Sequence, residues 1–217
     1  MRTGDPLGAK VKVVCSDCNS QWMSTLQETA KPHLVPLFKG MRWALGVNAQ
    51  QAISRWAIMA TMTAEYLSYD PSSIGVSQAE RDFFRANQTP PPGWRVWIAP
   101  YNREANVGQW IHCSLPILDT ENVPYTFKGE ILFPNTQTTT FIVGKLFVHT
   151  MSSHDPANIN AWDWQSALRA RTLLTQIWPI RQMIIGWPTQ ILTDRNVVEF
   201  SRAFFDAIDS LARRHGY

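Results

Sequence analysis

Two cysteines near the start of the chain, Cys15 and Cys18, have the residue type and the spacing to bind a metal ion. Thiolates separated by two residues can hold one tetrahedral ion, because the short turn between them directs both sulfurs inward. Structural zinc needs four such ligands, commonly supplied as two pairs, and the sequence contains no second CxxC motif. The motif therefore predicts half of a zinc site.

The other ligands would have to come from the third cysteine or from the five histidines. His33 lies fifteen residues after Cys18, near zinc-finger spacing, but no second histidine follows it closely. His112 and Cys113 are adjacent on a predicted strand, so their side chains should point to opposite faces and at most one can join the site. We name His33 and Cys113 as the candidate additional ligands. An empty knuckle, a reduced thiol pair and a metal ion completed by a second subunit, as in a homodimer, stay open as alternatives.

Redox chemistry is the other activity that a CxxC motif can support. At a helix N-terminus, one of the two thiols can have a lowered pKa and attack a disulfide. Only fourteen residues precede Cys15, however, and no strand–helix pair is predicted among them to build a thioredoxin-like fold. The negative charge of Asp17 should also disfavour a thiolate beside it. The sequence favours metal binding over redox exchange.

Catalytic motifs of other kinds do not occur in the sequence. It has no GxSxG elbow, no P-loop and no GxGxxG at a strand–helix junction. His149 lies in the strongest predicted strand and is interpreted as a structural or surface histidine. We assign no catalytic residue.

The segments around the knuckle predict one strand and two helices. Residues 10–14 alternate in character and predict a short strand leading into Cys15. Asn19 or Ser20 should cap the helix that follows. A second short helix should begin or break at Pro32 and stop at Gly40.

Residues 48–69 have the clearest helical pattern in the chain. Apolar or small side chains recur at helical spacing on nearly every side, which is typical of a helix buried on several sides. We expect this helix to be the central packing element. Ser77 should cap a shorter helix over residues 78–86.

The second half of the chain changes to β-branched and aromatic segments separated by turn residues, which predicts an antiparallel meander. The predicted strands cover residues 94–99, 109–118, 125–133 and 139–151. A loop over 152–162, a helix over 163–177, a strand over 183–187 and a helix over 193–213, capped by Thr193, should follow.

These elements predict one α+β domain over residues 1–217, with the knuckle and helical half in 1–88 and the sheet and C-terminal helix in 89–217. A net charge of +3 permits nucleic acid as a partner without requiring it. No apolar run approaches the roughly 20 residues that span a bilayer, so no membrane partner is expected. Three cysteines do not form a secreted disulfide framework, and we expect a cytoplasmic protein.

Residues 13–26 resemble a segment of bacterial and phage proteins catalogued as HNH-endonuclease-like, in which VC-x-x-CN-x-GWM-x-x-L closes a zinc-knuckle module. Similar stretches extend the resemblance over most of the chain, at residues 31–37, 51–67, 90–98, 176–179 and 187–188. The resemblance implies a zinc-knuckle ancestry and a nucleic-acid context.

The sequence also departs from that family. Its members normally carry an upstream CxxC and a Glu-His pair, which supply the other metal ligands and the presumed catalytic histidine, and Gln21 replaces the usual glycine. The resemblance therefore implies a truncated relative that is not catalytic on its own and binds nucleic acid or a protein partner, in a phage or anti-phage context. The alternatives are a metal-dependent DNA endonuclease whose site is completed by dimerisation, and a pure protein-interaction module with tryptophan anchors.

Overall fold

The computed structural model describes residues 2–4, 13–67, 74–102, 109–115, 135–154 and 173–199. Helices dominate the first half of these residues and an antiparallel sheet the second, which confirms the α+β class. The helices are α1 (Ser16–Cys18), a π-helical turn (Asn19–Met23), α2 (Ser24–Phe38), α3 (Val47–Ala64), a 3-10 turn (Glu65–Leu67) and α4 (Gln78–Asn87). The strands are β1 (Arg2–Gly4), β2 (Leu45–Gly46), β3 (Arg95–Pro100), β4 (Gln109–Leu115), β5 (Thr136–Val143), β6 (Leu146–Ser153), β7 (Thr175–Trp178) and β8 (Ile184–Ile185).

The helix after the knuckle is longer than predicted and begins earlier. Its first turn is capped by Cys15, not by Asn19 or Ser20. Pro32 and Pro36 both lie inside α2, so the predicted break at Pro32 is wrong. An interior proline disfavours a helix by about 3 kcal/mol, but α2 buries one apolar stripe, made of Leu26, Ala30, Leu34 and Leu37, and this packing outweighs the penalty. The helix stops at Gly40 as predicted, where φ is +78°.

The predicted central helix is confirmed as α3. It is buried on several sides, and it packs against α2 and against the sheet. Thr61 and Thr150 share a buried hydrogen bond of 2.8 Å that joins α3 to β6. The cap at Ser77 is also confirmed, as a capping box in which Ser77 Oγ accepts from the Glu80 amide and Glu80 accepts from the Ser77 amide.

The main sheet has six strands in the order β1-β4-β5-β6-β3-β7, with every neighbouring pair antiparallel. The single strand predicted over residues 139–151 is a hairpin, because β5 and β6 are joined by the two-residue turn Gly144-Lys145. Gly144 has a φ of +57°, the first-position glycine of a tight hairpin turn. The strand β1 lies at one edge of the sheet and pairs with β4.

Each face of the sheet carries its own core cluster. The face towards α2 and α3 includes Val96, Ile98 and Val148. The opposite face includes Trp97 and Phe147, which form one cluster with Leu192 and Val197 from later in the chain. The sheet therefore forms a layer between the helical half and the end of the described chain.

Some of the remaining predicted elements are present in the structure and others are not. The strand predicted over 183–187 is confirmed as β8, which pairs with β2. The helix predicted over 163–177 is wrong at its end, because Thr175–Trp178 forms the strand β7 beside β3. Val13 and Val14 are not in a strand. Thr193 begins a helix that is described over 194–199, and its hydroxyl accepts from the Asn196 amide.

Several predictions fall outside the described residues. They are the strand over 125–133, most of the loop over 152–162, most of the helix over 163–177, the start of the strand over 10–14 and the terminal helix beyond residue 199.

Candidate functional site

Cys15 and Cys18 lie at the start of the helical half, where an extended backbone turns into a helix. Cys15 has φ −69° and ψ 160°, and its thiol takes the place of a capping side chain. The Cys18 amide donates to Cys15 Sγ at 3.3 Å. The two-residue spacing thus closes one turn around the first sulfur, with Cys15 exposed and Cys18 half-buried.

The same hydrogen bond sets the electrostatics of the first thiol. Donation from the Cys18 amide lowers the pKa of Cys15 below its ordinary value, while the charge of Asp17 acts in the opposite direction and is outweighed. Asp17 raises the pKa of Cys15, as predicted, but the amide hydrogen bond at the helix start lowers it by more. Cys15 is biased towards thiolate, the form that binds metal and attacks disulfides.

Both sulfurs open onto a cleft of about 270 Å³, which we call the knuckle cleft. Its apolar lining comes from several elements and includes Val13, Val14, Trp22, Met23, Met59, Met62, Tyr66 and Phe84. Its polar lining comes mostly from α4, with Gln78, Arg81, Asp82 and Arg85, and α3 adds Thr63. The cleft therefore combines two thiols with an adaptable, methionine-rich surface and a cationic edge.

The structure does not bring the candidate additional ligands to the cysteines. His33 lies on the helical run that starts at Ser16, and fifteen residues at a rise of about 1.5 Å place it roughly 22 Å along the axis from Cys18. Cys113 lies on β4 and packs against the core cluster on the far face of the sheet. Burial raises the pKa of the Cys113 thiol, which keeps it protonated.

Among the residues that the structure describes, no three histidine, cysteine, aspartate or glutamate side chains form a group that could hold a metal ion. Two thiols at this spacing still match half of a tetrahedral zinc set in type and in separation along the chain. The donor chemistry of Cys15 and Cys18 fits zinc, and the described part of this chain supplies two of the four ligands.

The predicted opposite orientation of His112 and Cys113 is confirmed. His112 faces the helices and bonds Thr139 Oγ1 at 2.7 Å through Nδ1, while Cys113 packs on the other face. His149 is fully buried, as expected of a structural histidine, and its two ring nitrogens bond Thr138 and Thr140. Burial lowers the pKa of His149 to about 3, so the ring is neutral.

Sequence reasoning missed a buried ionic cluster next to the knuckle cleft. Glu65, at the end of α3, is paired with Arg81 at 2.5 Å, lies 3.7 Å from His112 Nε2 and accepts from the Gly75 amide at 3.0 Å. Burial raises the pKa of Glu65 to about 7 although Arg81 acts to lower it. Because Glu65 is fully buried and Arg81 lines the cleft, the cluster supports the cleft wall.

A signal for this cluster was present in the sequence. Glu65 is the one carboxylate within residues 48–69, the predicted helix that is apolar on nearly all sides. A lone buried carboxylate requires a cationic or hydrogen-bonding partner. The pattern gave no means of choosing Arg81, which is sixteen residues away on another helix.

No protein-family model, no curated protein and no solved structure matches the chain. The resemblance to HNH-endonuclease-like proteins therefore depends on sequence motifs alone, namely the one around Cys15 and Cys18 and the shorter stretches along the rest of the chain. Within the described residues, no helix combines the length and the apolar character needed to cross a bilayer.

Proposed function

We propose that the chain is an HNH-endonuclease-like protein that acts by binding and is not catalytic on its own. Cys15 and Cys18 bind Zn²⁺ as two of four ligands, and a second polypeptide supplies the other two. The observation that carries this proposal is that a thiolate-biased Cys15 and a half-buried Cys18 line one cleft, with no third ligand beside them in the described chain.

The second polypeptide is another copy of this chain. Two copies supply four thiolates, which is a complete structural zinc set. Val13 and Val14, exposed at 36% and 41%, lie next to the thiols on the rim of the knuckle cleft, where a second copy would cover them. We place the protein in the cytoplasm, where thiols stay reduced and available to metal.

Zinc titration of the reduced chain tests this proposal, with bound metal measured after gel filtration and mass measured by sedimentation. The expected result is about one zinc ion per two chains, together with a doubling of mass. Cys15→Ser and Cys18→Ser should each abolish both changes, and Cys113→Ser is the matched control that should keep them. One zinc ion in a monomer, or no zinc at all, would contradict the shared site.

Nucleic acid is a second candidate partner, because Arg81 and Arg85 lie on the edge of the same cleft. Arg81 is already paired with Glu65, so Arg85 is the better residue to change. Duplex DNA should be retarded in a gel at low salt, and the affinity should fall steeply as salt rises. Arg85→Gln should weaken the complex, whereas Arg195→Gln, on the terminal helix, should not.

The absence of any retardation of DNA at low salt would exclude nucleic acid as a partner and leave the zinc-linked pairing of two chains.

Plasmid nicking in Mg²⁺ or Mn²⁺ tests the alternative of an endonuclease completed by dimerisation. We expect no nicking, because no catalytic histidine is at a matching position.

A further inference from the structure

A second cleft, of about 390 Å³, lies between the helical run that follows the knuckle and α3. We call it the α2–α3 cleft. Trp22, Thr25 and Thr29 line it from one side, Arg55 from α3, and Gln88 from the left-handed cap of α4. Trp22 lines this cleft as well as the knuckle cleft.

The α2–α3 cleft contains two buried N–H groups without an acceptor. Trp22 Nε1 and Arg55 Nε are both buried, and neither has a hydrogen-bond partner among the residues that the structure describes. Buried donors are nearly always satisfied in folded proteins, so two of them in the lining of one cleft indicate a missing acceptor.

Charge narrows the kind of acceptor. The Arg55 guanidinium is a cationic group, and no carboxylate among the described residues pairs with it or lines the cleft. The two threonine hydroxyls already donate to helix carbonyls, Thr25 to Gln21 at 3.0 Å and Thr29 to Thr25 at 2.8 Å. The groups that lack a partner are therefore two N–H donors and one positive charge, and an anion would satisfy all of them.

We propose that the α2–α3 cleft binds a phosphate group, with Arg55 and Trp22 as the donors that hold it. The planar guanidinium matches the oxygens of a phosphate, and indole adds one further N–H. A cleft of about 390 Å³ is within the size range of small-molecule sites, which leaves room for an organic substituent on the phosphate. The site shares Trp22 with the knuckle cleft, but neither Cys15 nor Cys18 lines it, and the proposal does not rest on zinc binding or on the proposed pairing.

Calorimetric titration of the full chain tests the site with two probes, inorganic phosphate and adenosine 5′-monophosphate. Both should bind saturably, and tighter binding of the nucleotide would identify a phosphomonoester as the ligand instead of the free ion. Arg55→Gln should weaken binding by about tenfold or more, because it removes a charge-assisted contact. Trp22→Phe should weaken it by a smaller factor, since it removes a single neutral donor.

Arg42→Gln is the matched control, because Arg42 is an exposed arginine outside the cleft. It should bind both probes as the unmodified chain does. Circular dichroism and the melting temperature without ligand should confirm that Arg55→Gln is folded. Equal affinity in the unmodified chain and in folded Arg55→Gln, or no saturable binding of either probe, would overturn the proposal.

Discussion

The thiol of Cys15 accepts an amide hydrogen bond at an exposed helix start, whereas the thiol of Cys113 is packed between a strand and the second core cluster. The first environment lowers the pKa and the second raises it. Because the thiolate is the nucleophile, Cys15 should be the more reactive of the two thiols.

We expect iodoacetamide at neutral pH to modify Cys15 before Cys113. Peptide mass spectrometry over a time course measures the order, and Cys113 should react only when the chain is unfolded in urea. Adding Zn²⁺ should protect Cys15 and Cys18 and leave the slow reaction of Cys113 unchanged. Equal rates for Cys15 and Cys113 in the folded chain would contradict an exposed helix-start environment for the first thiol and a packed one for the second.

At the scale of single residues, the sequence identifies the thiols as candidate metal ligands but does not predict their protonation. The CxxC spacing places two thiols on one turn, and this much follows from the residues alone. The bias of Cys15 towards thiolate depends on its becoming the helix cap, which the motif does not specify. His33 has a suitable spacing for a ligand, but the continuous helix that separates it from Cys18 is fixed by tertiary packing of α2.

Among the elements, the β5–β6 hairpin depends on one glycine. Gly144 has a positive φ, and a Cβ atom at this position would lie 2.4 Å from the carbonyl oxygen of Phe38. Lys145 donates its amide to that oxygen at 2.8 Å. The turn is therefore pressed against the C-terminal end of α2, which couples the sheet to the helical half.

Gly144→Ala should destabilise the chain by about 2–4 kcal/mol, from backbone strain together with the clash against Phe38. Urea unfolding followed by circular dichroism measures the change. Gly186→Ala is the matched control, because no atom of the described residues, apart from the chain neighbours, lies within 4 Å of a Cβ at that position. It should change stability little, and similar losses in the two variants would show that the close approach to Phe38 has no energetic consequence.

The helices and strands were predicted correctly where a short local pattern is compatible with one kind of element only. The apolar spacing of α3 and the Ser77–Glu80 capping box are both local signals, and both are present in the structure. The hairpin was missed because β5 and β6 are buried on both faces, so no alternation separates them. Gly144 was the residue in the sequence that could have indicated the hairpin turn. No local pattern indicates β7, because this strand is defined by its pairing with β3, which is distant in the sequence.

At the scale of the whole molecule, two buried titratable groups lie on opposite faces of the sheet and act in opposite directions. Glu65 has a pKa raised by burial to about 7 from 4.5, so the folded chain keeps a proton that the unfolded chain releases. Its contribution to stability is fully present below pH 4.5 and is lost as pH rises through 7. His149 has a pKa lowered by burial to about 3 from 6.5, so its contribution is present above pH 6.5 and is lost as pH falls towards 3.

The two effects partly cancel between pH 4.5 and 6.5, so the unmodified chain should show a shallow dependence of unfolding free energy on pH in that window. Glu65→Gln removes the first effect and should leave a chain whose stability rises with pH. The difference in unfolding free energy between Glu65→Gln and the unmodified chain should grow, in favour of the variant, by about 3 kcal/mol from pH 4.5 to 7.

Urea unfolding at closely spaced pH values measures that difference, and subtracting the two profiles removes the contribution of His149. Glu28→Gln is the control, because Glu28 is an exposed carboxylate paired with Lys31 on α2. Its difference profile should be nearly flat. A flat profile for Glu65→Gln as well would mean that Arg81 keeps Glu65 ionised in the folded chain, so that the ion pair outweighs the burial of the carboxylate.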